Sequence, residues 1–153
     1  MAPRRIPVFF YGLFMDADLL RAKGLNPHHP RLARVRGFAL HLGQRATLAP
    51  EPGSSVHGVL MELSHGEIER LYAEPDLGEY RPEAALADLE DGGQLPALCF
   101  NLPLPPQPEQ ENLDYARKLA EVARRVGLPE AYVNSIGQHR SGGAQRRREG
   151  ESS

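Results

Sequence analysis

Two apolar runs, Tyr80–Ala87 and Leu95–Asn101, flank the triplet Asp91-Gly92-Gly93, and such a triplet specifies a tight β-hairpin turn. Pro82 suits the start or the edge of the first strand. The same alternation of short apolar runs with turn residues marks strands at Ile6–Tyr11, Val35–Leu42 and Val56–Leu63. Gly43–Leu48 is expected to continue the second strand after a bend or bulge, and Gly58 marks a close backbone approach in the third. Asn26-Pro-His-His-Pro30 is predicted as a loop and Pro50–Ser55 as a turn.

Helical signals are fewer and sharper. Asp16 is the expected N-cap of a helix carrying Leu19, Leu20 and Ala22, and Gly24 is its stop. Ser64-His-Gly-Glu67 fits a capping box ahead of Ile68, Leu71 and Tyr72, and Pro75 bars the helix from continuing. After a proline-rich connector at 103–108, Asn112–Val126 places Leu113, Ala116, Leu119, Ala120 and Ala123 on one face, with Gly127 as its end. Pro129 opens a last short helix holding Tyr132, Val133 and Ile136. Hairpins dominate and βαβ repeats are absent. The chain therefore reads as α+β, a small mixed, largely antiparallel β-barrel flanked by α-helices. Residues 1–136 form the domain, and the polar segment 137–153, with Arg146–Arg148, is expected to be a disordered tail.

Composition narrows the function classes. No apolar stretch approaches a membrane span, and the start lacks the apolar segment of a signal peptide. A single cysteine, Cys99, excludes an internal disulfide and suits a reducing cytoplasm; within Leu98-Cys99-Phe100 it reads as a buried, inert thiol. Residues 1–49 hold eight Lys/Arg against two Asp/Glu, while residues 50–114 hold two against fourteen. The basic charges are scattered and carry no nucleic-acid motif, so complementary halves of one domain explain them. The six histidines show no metal-ligand spacing with Cys99 or with paired carboxylates, and neither a metal nor a cofactor is expected.

The stretch Phe9-Phe10-Tyr11-Gly12-Leu13-Phe14 ends a strand in a glycine turn just ahead of a helix, a place where backbone N–H groups are free to meet an anion or an oxyanion. Tyr11-Gly12 resembles the start of the Tyr-Gly-Ser/Thr/Asn loop of the γ-glutamylcyclotransferase-like (AIG2-like) family. Val56-His-Gly-Val-Leu-Met-Glu-Leu63 is similar to the family's Val-x-Gly-x-x-(Tyr/Trp)-x-(Leu/Met) strand. Glu69-Arg-Leu71 through Tyr80-Arg-Pro82 resembles its Leu-Asp-x-x-Glu segment with a later Tyr. Tyr115-Ala-Arg-Lys-Leu119 and Gly127-Leu-Pro-Glu-Ala-Tyr-Val133 are similar to its C-terminal helical landmarks. Together the motifs span most of residues 6–136.

The resemblance implies an enzyme, of the amine lyase or acyltransferase kind, that cyclises a small γ-glutamyl amine to 5-oxoproline and releases the amine. A carboxylate must take a proton from the attacking ammonium and return one to the leaving amine. The turn amides would serve the oxyanion, and holding both ends of one molecule together accounts for much of the rate. Glu74 is the expected general acid/base, six residues before Tyr80. Matching it to the family's Glu requires a one-residue gap, so Asp76 and Glu79 remain alternatives, and Tyr72 stands where the family has Asp. Tyr11, Gly12, Leu13, Phe14 and Tyr80 are the expected substrate contacts. Arg45 either pairs a substrate carboxylate or covers the barrel with its stem. Leu13 replaces the family's Ser or Thr and removes a hydroxyl. That motivates a second reading, a catalytically silent relative binding a small metabolite or a protein partner in the same cavity. Nucleic acid and membrane are not expected partners, and the chain is expected to act as a monomer or a homodimer.

Overall fold

The computed structural model describes residues 4–42, 46–73, 77, 80–102 and 113–138. Five strands close into a barrel in the order β1-β3-β2-β4-β5. Strand β1 (Arg5–Phe10) lies antiparallel to β3 (Ala46–Ser64), from Arg5 opposite Ser64 to Phe10 opposite Val59. Its other neighbour, β5 (Gln94–Asn101), runs parallel to it, with Val8 opposite Leu98. Every other pairing is antiparallel: β2 (His28–Leu42) with β3, β2 with β4 (Arg81–Leu89), and β4 with β5. The expected hairpin turns at Gly92, whose φ is 93°. The small, mixed, largely antiparallel barrel predicted from the turn pattern is the observed fold.

Two irregular segments differ from expectation for one reason. Pro50–Ser55 stays within β3 instead of turning away, and His28–Pro30 belongs to β2 instead of a loop. Arg36 faces Ser55 and Phe38 faces Pro50, so Gly37 stands opposite the four residues 51–54. Gly37 and Gly53 absorb the mismatch with φ of 87° and 89°. At the other end of the ladder the register slips between His28 and Arg31, with His29 at φ 56°. Bulged strands carry the residues of turns, and so read as turns.

The helices follow their caps. In α1 (Ala17–Ala22), Asp16 accepts from the Asp18 N–H, and Gly24 with Leu25 closes the end by bonding back to Arg21 and Leu20. Helix α2 (His65–Leu71) has both bonds of the capping box. Helix α3 (Leu113–Val126) ends the same way as α1, Leu128 bonding to Ala123 and Gly127 to Arg124. Helix α4 (Glu130–Gln138) packs on α3. Ala116, Leu119 and Ala123 of α3 and Val133 and Ile136 of α4 join the core formed by Val8, Phe9, Leu60, Met61 and Leu63. Gly58 is required where β3 passes β1, since a Cβ there would lie 2.2 Å from the Phe10 carbonyl oxygen. Cys99 is buried and its thiol is pushed up to about 12, chiefly by burial, which leaves it unreactive. The second strand was expected to continue through Gly43–Leu48, but Ala46–Leu48 opens β3 instead and runs back antiparallel along β2, with Ala46 opposite Leu42. Residues 43–45, the 103–108 connector and the tail from 139 onward lie outside the described residues.

Candidate active site

Strand β1 delivers Phe10 and Tyr11 to one end of the barrel, where Gly12 leads into a single 3₁₀ turn, Leu13–Met15. The Met15 N–H bonds the Gly12 carbonyl at 3.0 Å and the Asp16 N–H bonds that of Leu13 at 3.3 Å. Helix α3 holds this turn at two points. Asp16, already capping α1, accepts a 2.8 Å hydrogen bond from Arg125, and the Leu13 N–H meets the Tyr115 hydroxyl. Gly12 leaves little room for a side chain, because a Cβ would stand 3.1 Å from the Tyr115 hydroxyl oxygen, which would have to give by a few tenths of an ångström.

Beside this turn opens a cavity of about 160 Å³ whose walls include Tyr11, Gly12, Leu13, Phe14, Ala46, Tyr72, Leu77, Tyr80, Phe100 and Tyr115. Five of the residues singled out in the sequence, Tyr11, Gly12, Leu13, Phe14 and Tyr80, thus share one wall system. Glu74 and Arg45, with the alternatives Asp76 and Glu79, lie outside the described residues. Their sequence neighbours border the cavity: Tyr72 and Leu77 flank Glu74, and Ala46 follows Arg45.

The Tyr11 ring lines the cavity, but its hydroxyl belongs to the barrel. It donates to the Phe100 carbonyl at 2.6 Å, with Asn101 Oδ1 at 3.0 Å, and receives a hydrogen bond from Thr47. Asn101 is almost fully buried; its Oδ1 also accepts from the Leu48 N–H and its amide donates to Glu83. The Tyr80 hydroxyl donates to the Ala46 carbonyl. Together these bonds tie the ends of β1, β3, β4 and β5 beneath the cavity.

Tyr72 forms the part of the wall between the turn and β5. Its ring stacks on Phe100 with centroids 4.0 Å apart and planes 15° from parallel, and meets Phe14 edge-on at 6.3 Å. Burial raises the pKa of Tyr11, Tyr72 and Tyr115, and neighbouring phenols add to the effect. All three therefore stay protonated at any ordinary pH and act as neutral hydrogen-bonding groups. Sequence reasoning gave Tyr72, Leu77, Phe100, Asn101 and Tyr115 no part in the site. Tyr72 had a local signal, since it stands two residues from Glu74 at the family's Asp position, and Tyr115 had one as a landmark of the resemblance; the others reach the cavity or its base only through tertiary contacts.

Another carboxylate near α2 has a structural task. Glu67 is buried and accepts from Arg5 at 2.8 Å, the Asn26 N–H at 2.6 Å and the Ser64 N–H at 2.9 Å. Burial pushes its pKa up, but these donors and the Ser64 hydroxyl outweigh burial and hold it below its ordinary value. Among the described residues no three His, Cys, Asp or Glu side chains gather as metal ligands, and no helix is long and apolar enough to cross a membrane.

Known proteins share this fold. Among solved structures, the human protein loc79017 superposes with a TM-score of 0.71 at 17% identity, covering 86% of both chains. A structure named gamma-glutamyl cyclotransferase gives 0.69 at 17% identity, over 87% of this chain and 86% of that one. YkqA from Bacillus subtilis gives 0.69 at 20% identity, over 90% of this chain and 55% of its own. No curated protein matches by sequence. At these identities the superpositions speak for the barrel and its helices. Sequence carries the assignment further, because the family described as gamma-glutamyl cyclotransferase, AIG2-like, matches residues 8–120, a span that begins in β1 and runs through the glycine turn and the cavity wall into α3. The chain belongs to the γ-glutamyl cyclotransferase, AIG2-like family.

Proposed function

We propose that this chain is a cyclotransferase-type enzyme that converts a small γ-glutamyl amine to 5-oxoproline and the free amine. The observation that carries the reading is the cavity between the Tyr11–Phe14 turn and the residues flanking Glu74, in a member of this family. Its volume, about 160 Å³, is close to the roughly 150 Å³ that accommodates a benzene ring. That size suits the five-membered lactam, with the amine partner at the mouth.

In the reaction the substrate's α-nitrogen attacks its own γ-carbonyl carbon, the ring C–N bond forms, and the bond to the amine partner breaks. Glu74 takes the proton from the α-ammonium and returns one to the leaving nitrogen. An apolar surrounding raises the pKa of a carboxyl group toward the value such a shuttle needs. The Leu13 N–H is engaged by Tyr115, so the oxyanion falls to the Gly12 and Phe14 N–H groups, which have no backbone acceptor among the described residues. Arg45 pairs the α-carboxylate. No cofactor enters, and the enzyme works in the cytoplasm as a monomer or a homodimer.

Purified protein incubated with a panel of γ-glutamyl amines is expected to release 5-oxoproline, and Glu74→Gln to stop it. Full activity in Glu74→Gln would remove Glu74 from the mechanism. The engaged Leu13 N–H favours the alternative, a silent relative: 5-oxoproline bound without turnover of any substrate in the panel selects it.

A further inference from the structure

Three of the four phenols around the cavity are engaged. Tyr11 donates to Phe100, Tyr80 to Ala46, and Tyr115 meets the Leu13 N–H. The Tyr72 hydroxyl takes part in no hydrogen bond among the described residues, although the residue lines the cavity and its phenol lies among those of Tyr80 and Tyr115. The Tyr72 ring is fixed by its stack on Phe100 and its edge contact with Phe14. It is a held donor in the same cavity wall as the turn, which its ring meets through Phe14 and at which Leu13 has removed a hydroxyl.

We infer that Tyr72 is a substrate-binding residue whose hydroxyl donates to an oxygen of the γ-glutamyl group, replacing from a neighbouring part of the cavity wall the hydroxyl that Leu13 lacks. Two departures from the family pattern thereby become one compensated change. The inference rests on the cyclotransferase reading of the cavity. Burial keeps the phenol protonated, so it serves as a donor to a carboxylate or carbonyl oxygen throughout the working pH range. Its rigid ring also loses little freedom when the ligand binds.

Tyr72→Phe keeps the stack and removes only the oxygen. Binding of 5-oxoproline by calorimetry and KM for any γ-glutamyl amine turned over are the readouts, with thermal melting to establish that the variant folds. The expected result is an unchanged melt, about tenfold weaker binding and a matching rise in KM. Adding Leu13→Ser to Tyr72→Phe returns a hydroxyl from the turn and is expected to recover most of the loss, which a merely structural role for Tyr72 would not produce. Wild-type affinity and KM in Tyr72→Phe overturn the inference and leave the cyclotransferase reading standing. A wild-type protein that neither binds 5-oxoproline nor turns over any γ-glutamyl amine overturns both.

Discussion

Tyr11→Phe separates the two tasks that meet in one side chain. The ring stays on the cavity wall, and the loss falls on the network below it. The hydroxyl proton serves the Phe100 carbonyl at 2.6 Å, and the oxygen accepts from Thr47. Pro82, opposite Phe100 in the β4–β5 ladder, has no N–H to replace the phenol. Asn101 Oδ1 keeps its Leu48 partner. The substitution thus strips one buried carbonyl of a donor and one buried hydroxyl of an acceptor. An orphaned buried polar group costs about 1–3 kcal/mol, and Thr47 can rotate toward another acceptor, so a net loss of about 2 kcal/mol is expected. For a chain of this length that lowers Tm by about 4–8 °C. Scanning calorimetry reads the shift, and 5-oxoproline titration on the same samples reads the site. Affinity is expected to hold within about twofold, because the phenol points into the barrel. An unchanged Tm with binding lost would refute the reasoning and make the hydroxyl a ligand contact.

Three further substitutions test the frame around the site. Gly58→Ala puts a methyl group 2.2 Å from a backbone oxygen with no side chain to yield; expression as insoluble protein, or a loss of about 3 kcal/mol or more, is expected in denaturant titration. Ser64→Ala removes the N-terminal bond of α2 and is expected to cost about 1 kcal/mol by the same assay. Glu67 binds its proton less readily in the folded state than in the unfolded chain. Its contribution is therefore complete above the unfolded value of about 4.3 and disappears as pH falls through the lower folded value. Wild-type Tm is expected to drop on acidification through that window, and Glu67→Gln to show a smaller drop from a lower starting point. A parallel pair of Tm-against-pH curves would exclude Glu67 as a source of acid sensitivity.

The barrel was legible because its instructions are local. Asp91-Gly92-Gly93 can do little except turn, Ser64-x-x-Glu67 caps wherever a helix follows, and Gly127 stops α3 through bonds to residues within five positions. The bulges were not legible. Gly37 matters only because four residues stand opposite it on another strand, and no window of either strand contains both sides of that count. The site divides in the same way. Tyr11 through Phe14 is one contiguous segment with its own signature, whereas Phe100 and Tyr115 reach the cavity by barrel closure and by the docking of α3. Asn101 is the extreme case. It ends a strand, where polar residues are ordinary, and only the closed barrel shows it buried among Tyr11, Leu48 and Glu83.

The division also shapes how such a site can change. Positions 12 and 16 are constrained by what they touch: Gly12 by the Tyr115 hydroxyl, Asp16 by the α1 N-terminus and Arg125. Leu13 and Tyr72 belong to the partly buried cavity wall, where a side chain can change size or polarity while the barrel ladder stays intact. A turn held by its own backbone bonds and by α3 can keep its amides in place while the cavity side chains exchange roles. Loss of a hydroxyl at position 13 is then no sign by itself of a lost site. The relevant quantity is how many donors face the ligand, summed over the whole cavity wall, and Tyr72 belongs in that sum.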